Sequence, residues 1–206
     1  PRFHQLDAVT TLVADSRASG PGSRYLVQHS AGSGKTRTIA WAAHRLATLH
    51  DDAGKVFDTV VVVTDRKVLD DQLQEAVQQI ESKAGVVATI SSKEAARKGF
   101  GAKSNYLTQA LTSGKLIVVV TLQTFPFVLD AIRSDKSLQG RKFAVIADEA
   151  HSSQTGQAAA KLKQVLSAAE VADLADGGEI DIESVLLAEA SAKADTTNIS
   201  FYAFTA

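Results

Sequence analysis

The sequence predicts an α/β fold: a mostly parallel central sheet with helices on both faces, three layers in all. Three observations carry that expectation. Short β-branched runs alternate along the chain with longer stretches of helical period. The run Thr59-Val60-Val61-Val62-Val63-Thr64 is apolar at every interior position, as a strand covered on both faces must be. A glycine-bearing turn at 30–34 lies between one strand and the helix after it.

In chain order, residues 25–29 read as a strand and 36–49 as the helix that follows. Residues 59–64 form the buried strand. Residues 67–82 are helical, with Val68, Leu69, Leu73, Ala76, Val77 and Ile80 near i, i+4, i+7 spacing. Residues 85–90 are a further short strand, and Ser91 with Glu94 makes a capping box for a helix beyond it. The Gly- and Lys-rich stretch 97–103 reads as a loop, 105–112 as a helix, 116–121 and 143–148 as strands, and 198–204 as the last strand. Residues 158–194 are rich in Ala, Leu and acids and read as two helices broken at Gly177-Gly178. No internal repeat is present at solenoid periods.

With 206 residues, 45% apolar and 22% charged, the chain suits one domain with a real core, 1–206, and is not disordered. Cysteine is absent, which excludes disulfides, thiolate zinc sites and thiol nucleophiles. Apolar runs such as 59–63 and 116–120 are too short for a bilayer, and no signal segment opens the chain, so a cytoplasmic protein without a membrane partner is expected. Methionine is missing even at the start, as expected of a piece of a longer polypeptide. The net charge of −1 divides unevenly: 164–197 holds eight acids and one base, leaving 21 bases and 15 acids, or +6, elsewhere. The main body therefore has the charge for a phosphate-tracking surface, while the acidic helical insertion at about 158–197 also fits a merely solvated face.

The sharpest local signal is Gln28-His29-Ser30-Ala31-Gly32-Ser33-Gly34-Lys35-Thr36. Glycines allow successive N–H groups to turn inward on a polyphosphate, and the following helix points its positive end at the same place. Ala31, Gly32, Ser33 and Gly34 would supply that ATP-binding backbone, Lys35 would neutralise the β- and γ-phosphates, and the Thr36 hydroxyl would ligate Mg²⁺. The full pattern starts with Gly or Ala where this chain has His29. The second signal is the apolar strand 143–147 running into Asp148-Glu149-Ala150-His151. A strand end in a doubly wound sheet opens on the ligand crevice. There Asp148 would hold Mg²⁺ and Glu149 would orient or deprotonate the attacking water, Lys35, Asp148 and Glu149 being the catalytic set.

Together these two segments resemble motifs I and II of the superfamily-two helicases and translocases, whose motor is a pair of RecA-like P-loop lobes. The chain resembles the first lobe, with other motifs in order. Gln5 resembles the glutamine that reads adenine. Thr64-Asp65-Arg66 stands where motif Ia meets the nucleic-acid backbone, and Thr121-Leu122-Gln123-Thr124 where motif Ib does. Phe204-Thr205-Ala206 resembles the start of motif III. The resemblance implies that His151 and Thr205 couple the nucleotide to the second lobe, and that Thr64, Arg66, Thr121 and Gln123 touch DNA. The wording of 28–36, 65–73 and 148–156 is closest to the restriction subunit of type I restriction-modification enzymes. That implies an ATP-driven translocase on double-stranded DNA, a second RecA-like lobe and a nuclease domain in the parent chain, and methylation and specificity subunits as partners. An isolated first lobe would lack the arginine finger and turn over slowly.

Plainer roles exist for several of these residues. Gln5 also fits a surface polar position, Asp65 a helix cap, and Thr121 and Gln123 a turn. The basic residues Lys93, Arg97, Lys98 and Lys103 beside Phe100 and Tyr106 fit a solvated face as well as a nucleic-acid surface. His4, His29, His44 and His50 are scattered and suggest no cluster. A strand-separating helicase or remodelling-type motor shares every motif, and a non-motor nucleotide-binding regulatory module shares the first two.

Overall fold

The computed structural model describes residues 2–30, 33–64, 76–77, 86–121, 124–148 and 197–205. The acidic insertion and most of the helix expected at 67–82 lie outside the described residues, although Ala76 and Val77 are helical.

The described chain runs α1 (Phe3–Ser19), β1 (Arg24–Gln28), α2 (Lys35–Ala47), β2 (His50–Asp51), β3 (Gly54–Lys55), β4 (Thr59–Thr64) and β5 (Val87–Thr89). It continues through α3 (Ser92–Arg97), α4 (Lys103–Thr112), β6 (Ile117–Thr121), α5 (Phe125–Ser134), β7 (Phe143–Asp148) and β8 (Ile199–Thr205). Six strands form one sheet in the order β1-β8-β7-β4-β6-β5, every neighbouring pair parallel. The fold is therefore the expected three-layer, RecA-like α/β arrangement. A separate antiparallel pair, β2 with β3, makes a small hairpin after α2.

Alternate residues of the central strands feed opposite layers. Val60 and Val62 of β4 pack with Val9, Leu12 and Val13 of α1 and Ile39, Ala43 and Leu46 of α2. Val61 and Val63 pack with Tyr106, Leu107 and Leu111 of α4 and Phe125, Val128 and Leu129 of α5. Both faces of β4 are dry, so its continuous valine run costs nothing in exposed apolar surface and gains the β-branched fit to a pleated sheet.

Several expectations need correction. Residues 97–103 are not all loop: Arg97 ends α3 and Lys103 starts α4. Ser91 does cap α3, its hydroxyl accepting the Glu94 N–H at 3.1 Å, but the Glu94 carboxylate goes to Arg97 at 2.8 Å. Two helices were not anticipated. The inward stripe of α1 is Gln5, Val9, Leu12, Val13 and Ser16, polar at both ends and so weak as an apolar period. Helix α5 buries Phe125, Val128, Leu129 and Ile132, a full helical stripe; Pro126 sits in its first turn, where no helical N–H is needed.

Candidate active site

Parallel strands point the same way, so their carboxyl ends share one edge. Gln28 of β1 is in register with Thr205 of β8, Asp148 of β7 with Phe204, Ala147 with Val63 of β4, and Thr64 with Thr121 of β6. The phosphate loop leaves β1 at this edge and the acidic segment leaves β7 there. Residues 113 positions apart in sequence thus meet: Lys35 Nζ lies 3.6 Å from Asp148 Oδ1. Both side chains are largely withdrawn from solvent, at 16% and 13% exposure, so water screens the pair only in part.

The loop turns into α2 through Gly34, at φ 88° and ψ 35°. A side chain is strained in that left-handed region. A Cβ at Gly34 would also come within 2.7 Å of Gln5 Nε2. Helix α2 begins at Lys35, so its first N–H groups and positive dipole end face the loop. Thr36 stands half-buried in this first turn.

Helix α1 brings two side chains, Gln5 and His4, onto the loop. Gln5, 5% exposed, donates from Nε2 to the Gly34 carbonyl at 3.1 Å and accepts the Arg2 N–H on Oε1 at 2.9 Å. His4 Nε2 donates to the Ser33 carbonyl at 3.1 Å. Ser33 Oγ shares a 2.9 Å hydrogen bond with His29 Nδ1. Two of the four histidines expected to be scattered thus come together: the His4 and His29 rings are 6.0 Å apart, edge to face. They are 25 positions apart, and only the placement of α1 brings them together, so the sequence carries no signal of it. Burial, then the nearby His4 and Lys35, pushes the His29 imidazole below its ordinary range.

Gln5, Ser33, Gly34, Lys35, Thr36 and Asp148 are thus gathered at one place. Ala31, Gly32, Glu149 and His151 lie outside the described residues, as do Arg66 and Gln123. Thr205 is placed by its backbone at the end of β8, beside Gln28. Thr64 and Thr121 reach the right edge but are buried, at 3% and 6% exposure, and Thr121 Oγ1 bonds Thr124 Oγ1 at 3.0 Å. Little of either is open to a DNA strand. Near the basic stretch, the Phe100 and Tyr106 rings pack on each other at 5.2 Å and join the core, so they offer no stacking platform. Arg97 is paired with Glu94, and Lys103 Nζ donates to Thr124 Oγ1 at 3.0 Å.

The family model of the SWI2/SNF2 ATPase matches residues 4–174, a span that takes in α1, the phosphate loop and Asp148. The chain belongs to the SWI2/SNF2 ATPase family. Its membership makes this a helicase-like motor lobe of an ATPase, and gives the cluster of loop, lysine and carboxylate an ATP-directed meaning. No relative was found among curated proteins. Among the described residues, no helix is long and apolar enough to cross a membrane.

The residues present fit a magnesium-bound triphosphate. A glycine held left-handed against Gln5, a helix N-terminus behind it and a cation paired with a carboxylate supply anion and metal positions side by side.

Proposed function

We propose that this chain binds and hydrolyses ATP as the first lobe of a motor that moves along double-stranded DNA, most like the restriction subunit of type I restriction enzymes. The observation that carries the nucleotide part is the 3.6 Å approach of Lys35 to Asp148 at the sheet edge where the loop opens. Resemblance of segments 28–36, 65–73 and 148–156 to that subunit supports the translocase part.

Each residue is given a task on this reading. The loop amides and the start of α2 receive phosphate oxygens, and Lys35 places its charge on the β- and γ-phosphates. Thr36 and Asp148 would hold Mg²⁺, which when bound neutralises phosphate charge and polarises the γ-phosphoryl group. Glu149, one residue beyond Asp148, is assigned the attacking water. Gln5 is assigned to adenine, although its carboxamide also braces the Gly34 carbonyl. Hydrolysis would then change how this lobe packs on a second lobe and step the DNA. His151 and Thr205 are assigned to that coupling, and Arg66 and Gln123 to the DNA backbone; Thr64 and Thr121, both buried, are not. Methylation and specificity subunits are the expected partners.

Charge makes nucleotide and metal interdependent. Without ligand, Lys35 and Asp148 neutralise each other; a triphosphate alone would draw Lys35 away and bring its own negative charge against the Asp148 carboxylate. Metal and nucleotide together give both side chains an opposite charge. Magnesium should therefore tighten ATP binding strongly, and Asp148→Asn should flatten that dependence. An Asp148→Asn variant with undiminished magnesium dependence would refute the metal assignment. For the motor itself, duplex DNA should stimulate ATP hydrolysis, and displacement of a triplex strand without unwinding of the duplex is the expected activity. Unwinding instead would favour a strand-separating helicase. Hydrolysis indifferent to DNA would favour a regulatory module.

A further inference from the structure

The phosphate loop carries a histidine where its motif has glycine or alanine, and that side chain is built into the site. His29 is 6% exposed, and its ring stacks on Phe204 of β8 with centroids 6.1 Å apart and planes 25° from parallel. Nδ1 holds Ser33 Oγ at 2.9 Å, while Nε2 is buried with no hydrogen-bond partner among the described residues. A residue wanted only to fill this space would be better apolar, because a buried polar atom without a partner is destabilising. A phenyl ring would keep the stack on Phe204 and leave no orphan nitrogen. The imidazole does one thing that phenyl cannot: it bonds Ser33.

We propose that His29 is a positioning residue for the phosphate loop, fixing Ser33 through Nδ1 and held rigid itself by its stack on the end of β8. Glycine-rich backbone has many conformations to lose, so a loop poised for an anion needs restraint from outside. Three side chains supply it: Gln5 at the Gly34 carbonyl, His4 at the Ser33 carbonyl and His29 at the Ser33 hydroxyl. Of these, His29 is the one whose ring also stacks on β8, the strand that ends in Thr205. This rests on the reading of the loop as an ATP site, and goes beyond it by giving the non-glycine position a role.

The test is the dissociation constant of MgATP, measured by titrating the protein with a fluorescent ATP analogue, with melting temperature as the fold control. His29→Phe and Ser33→Ala should each weaken binding about fivefold, as loss of one hydrogen bond does. The double variant should be no weaker than the weaker single, since both remove the same bond. His29→Asn, whose amide puts a polar atom where Nδ1 stands but gives up the stack on Phe204, should bind between the parent and His29→Phe. Melting temperatures should not follow this order. His29→Phe binding like the parent, losses that multiply in the double variant, or His29→Asn as weak as His29→Phe would each overturn the proposal. Ser33→Ala tests the same bond should the ring variant fold poorly. Lys35→Met separates the two readings: binding that survives it defeats the ATP site itself, whereas binding that it abolishes but His29→Phe spares defeats the His29 role alone.

Discussion

At Gly34 one backbone angle serves two purposes. It turns the loop into α2, and the missing side chain leaves room for Gln5 to reach the carbonyl behind it. Gly34→Ala should cost about 1–2 kcal/mol in backbone strain and displace Gln5 as well. MgATP binding should weaken more than tenfold. Binding equal to the parent in a nucleotide titration would show that the loop tolerates a side chain there. His29 gives a pH signature. Its folded-state affinity for a proton is lowered, first by burial and then by His4 and Lys35. Above the ordinary value of 6.5 neither folded nor unfolded chain is protonated there, so the group is neutral in the balance. As pH falls below that value the unfolded chain takes the proton first, and stability drops until the lowered folded value is passed. Denaturant melts from about pH 7 to 5 should therefore show a smaller acid loss in His29→Phe than in the parent; equal losses would contradict the shift. Lys35, Gly34 and Asp148 were legible because their motif encodes a local turn and a strand end. The His29 contacts were not, since stacking on Phe204 depends on strand order in space.

Among the elements, the buried strands were the easiest to read, because β-branched runs with both faces covered have few other homes. The strands at 59–64 and 143–148 match their expected bounds, while 85–90 shortens to Val87–Thr89. Helix α1 was missed because Gln5 and Ser16 on its inward stripe serve hydrogen bonds instead of apolar contact: Ser16 Oγ meets Tyr202 Oη at 2.8 Å and Gln5 braces the loop. The join between β1 and β8 was equally invisible. Ser200, fully buried, accepts the N–H groups of Gly22 and Ser23 on its hydroxyl at 3.0 and 3.2 Å. Ser200→Ala leaves those donors wanting and should cost about 1–3 kcal/mol in urea unfolding. Val62→Ala, deleting two methyl groups from a site with no exposure, should cost about 2 kcal/mol. If either variant unfolds like the parent, the strand packing described for the sheet is wrong at that point.

Across the whole molecule, the parallel sheet is what makes a site from distant sequence. Every strand delivers its carboxyl end to one edge, so a loop after β1 and an acid at the end of β7 meet because β8 alone separates the two strands. Fold class and the ATPase motifs were readable from the sequence, and the family match from residue 4 to 174 agrees with both. Which motor the lobe belongs to is carried by flanking residues and by charge distribution, which constrain a partner less tightly than a motif constrains a phosphate. On this reading one magnesium triphosphate sits between Lys35 and Asp148. A crystal structure with Mg²⁺ and a non-hydrolysable ATP analogue tests it most directly. The expected result has a terminal phosphate oxygen within about 3 Å of Lys35 Nζ, with the metal beside Thr36 and Asp148. An analogue bound at another edge of the sheet, with Lys35 still paired to Asp148, would contradict it.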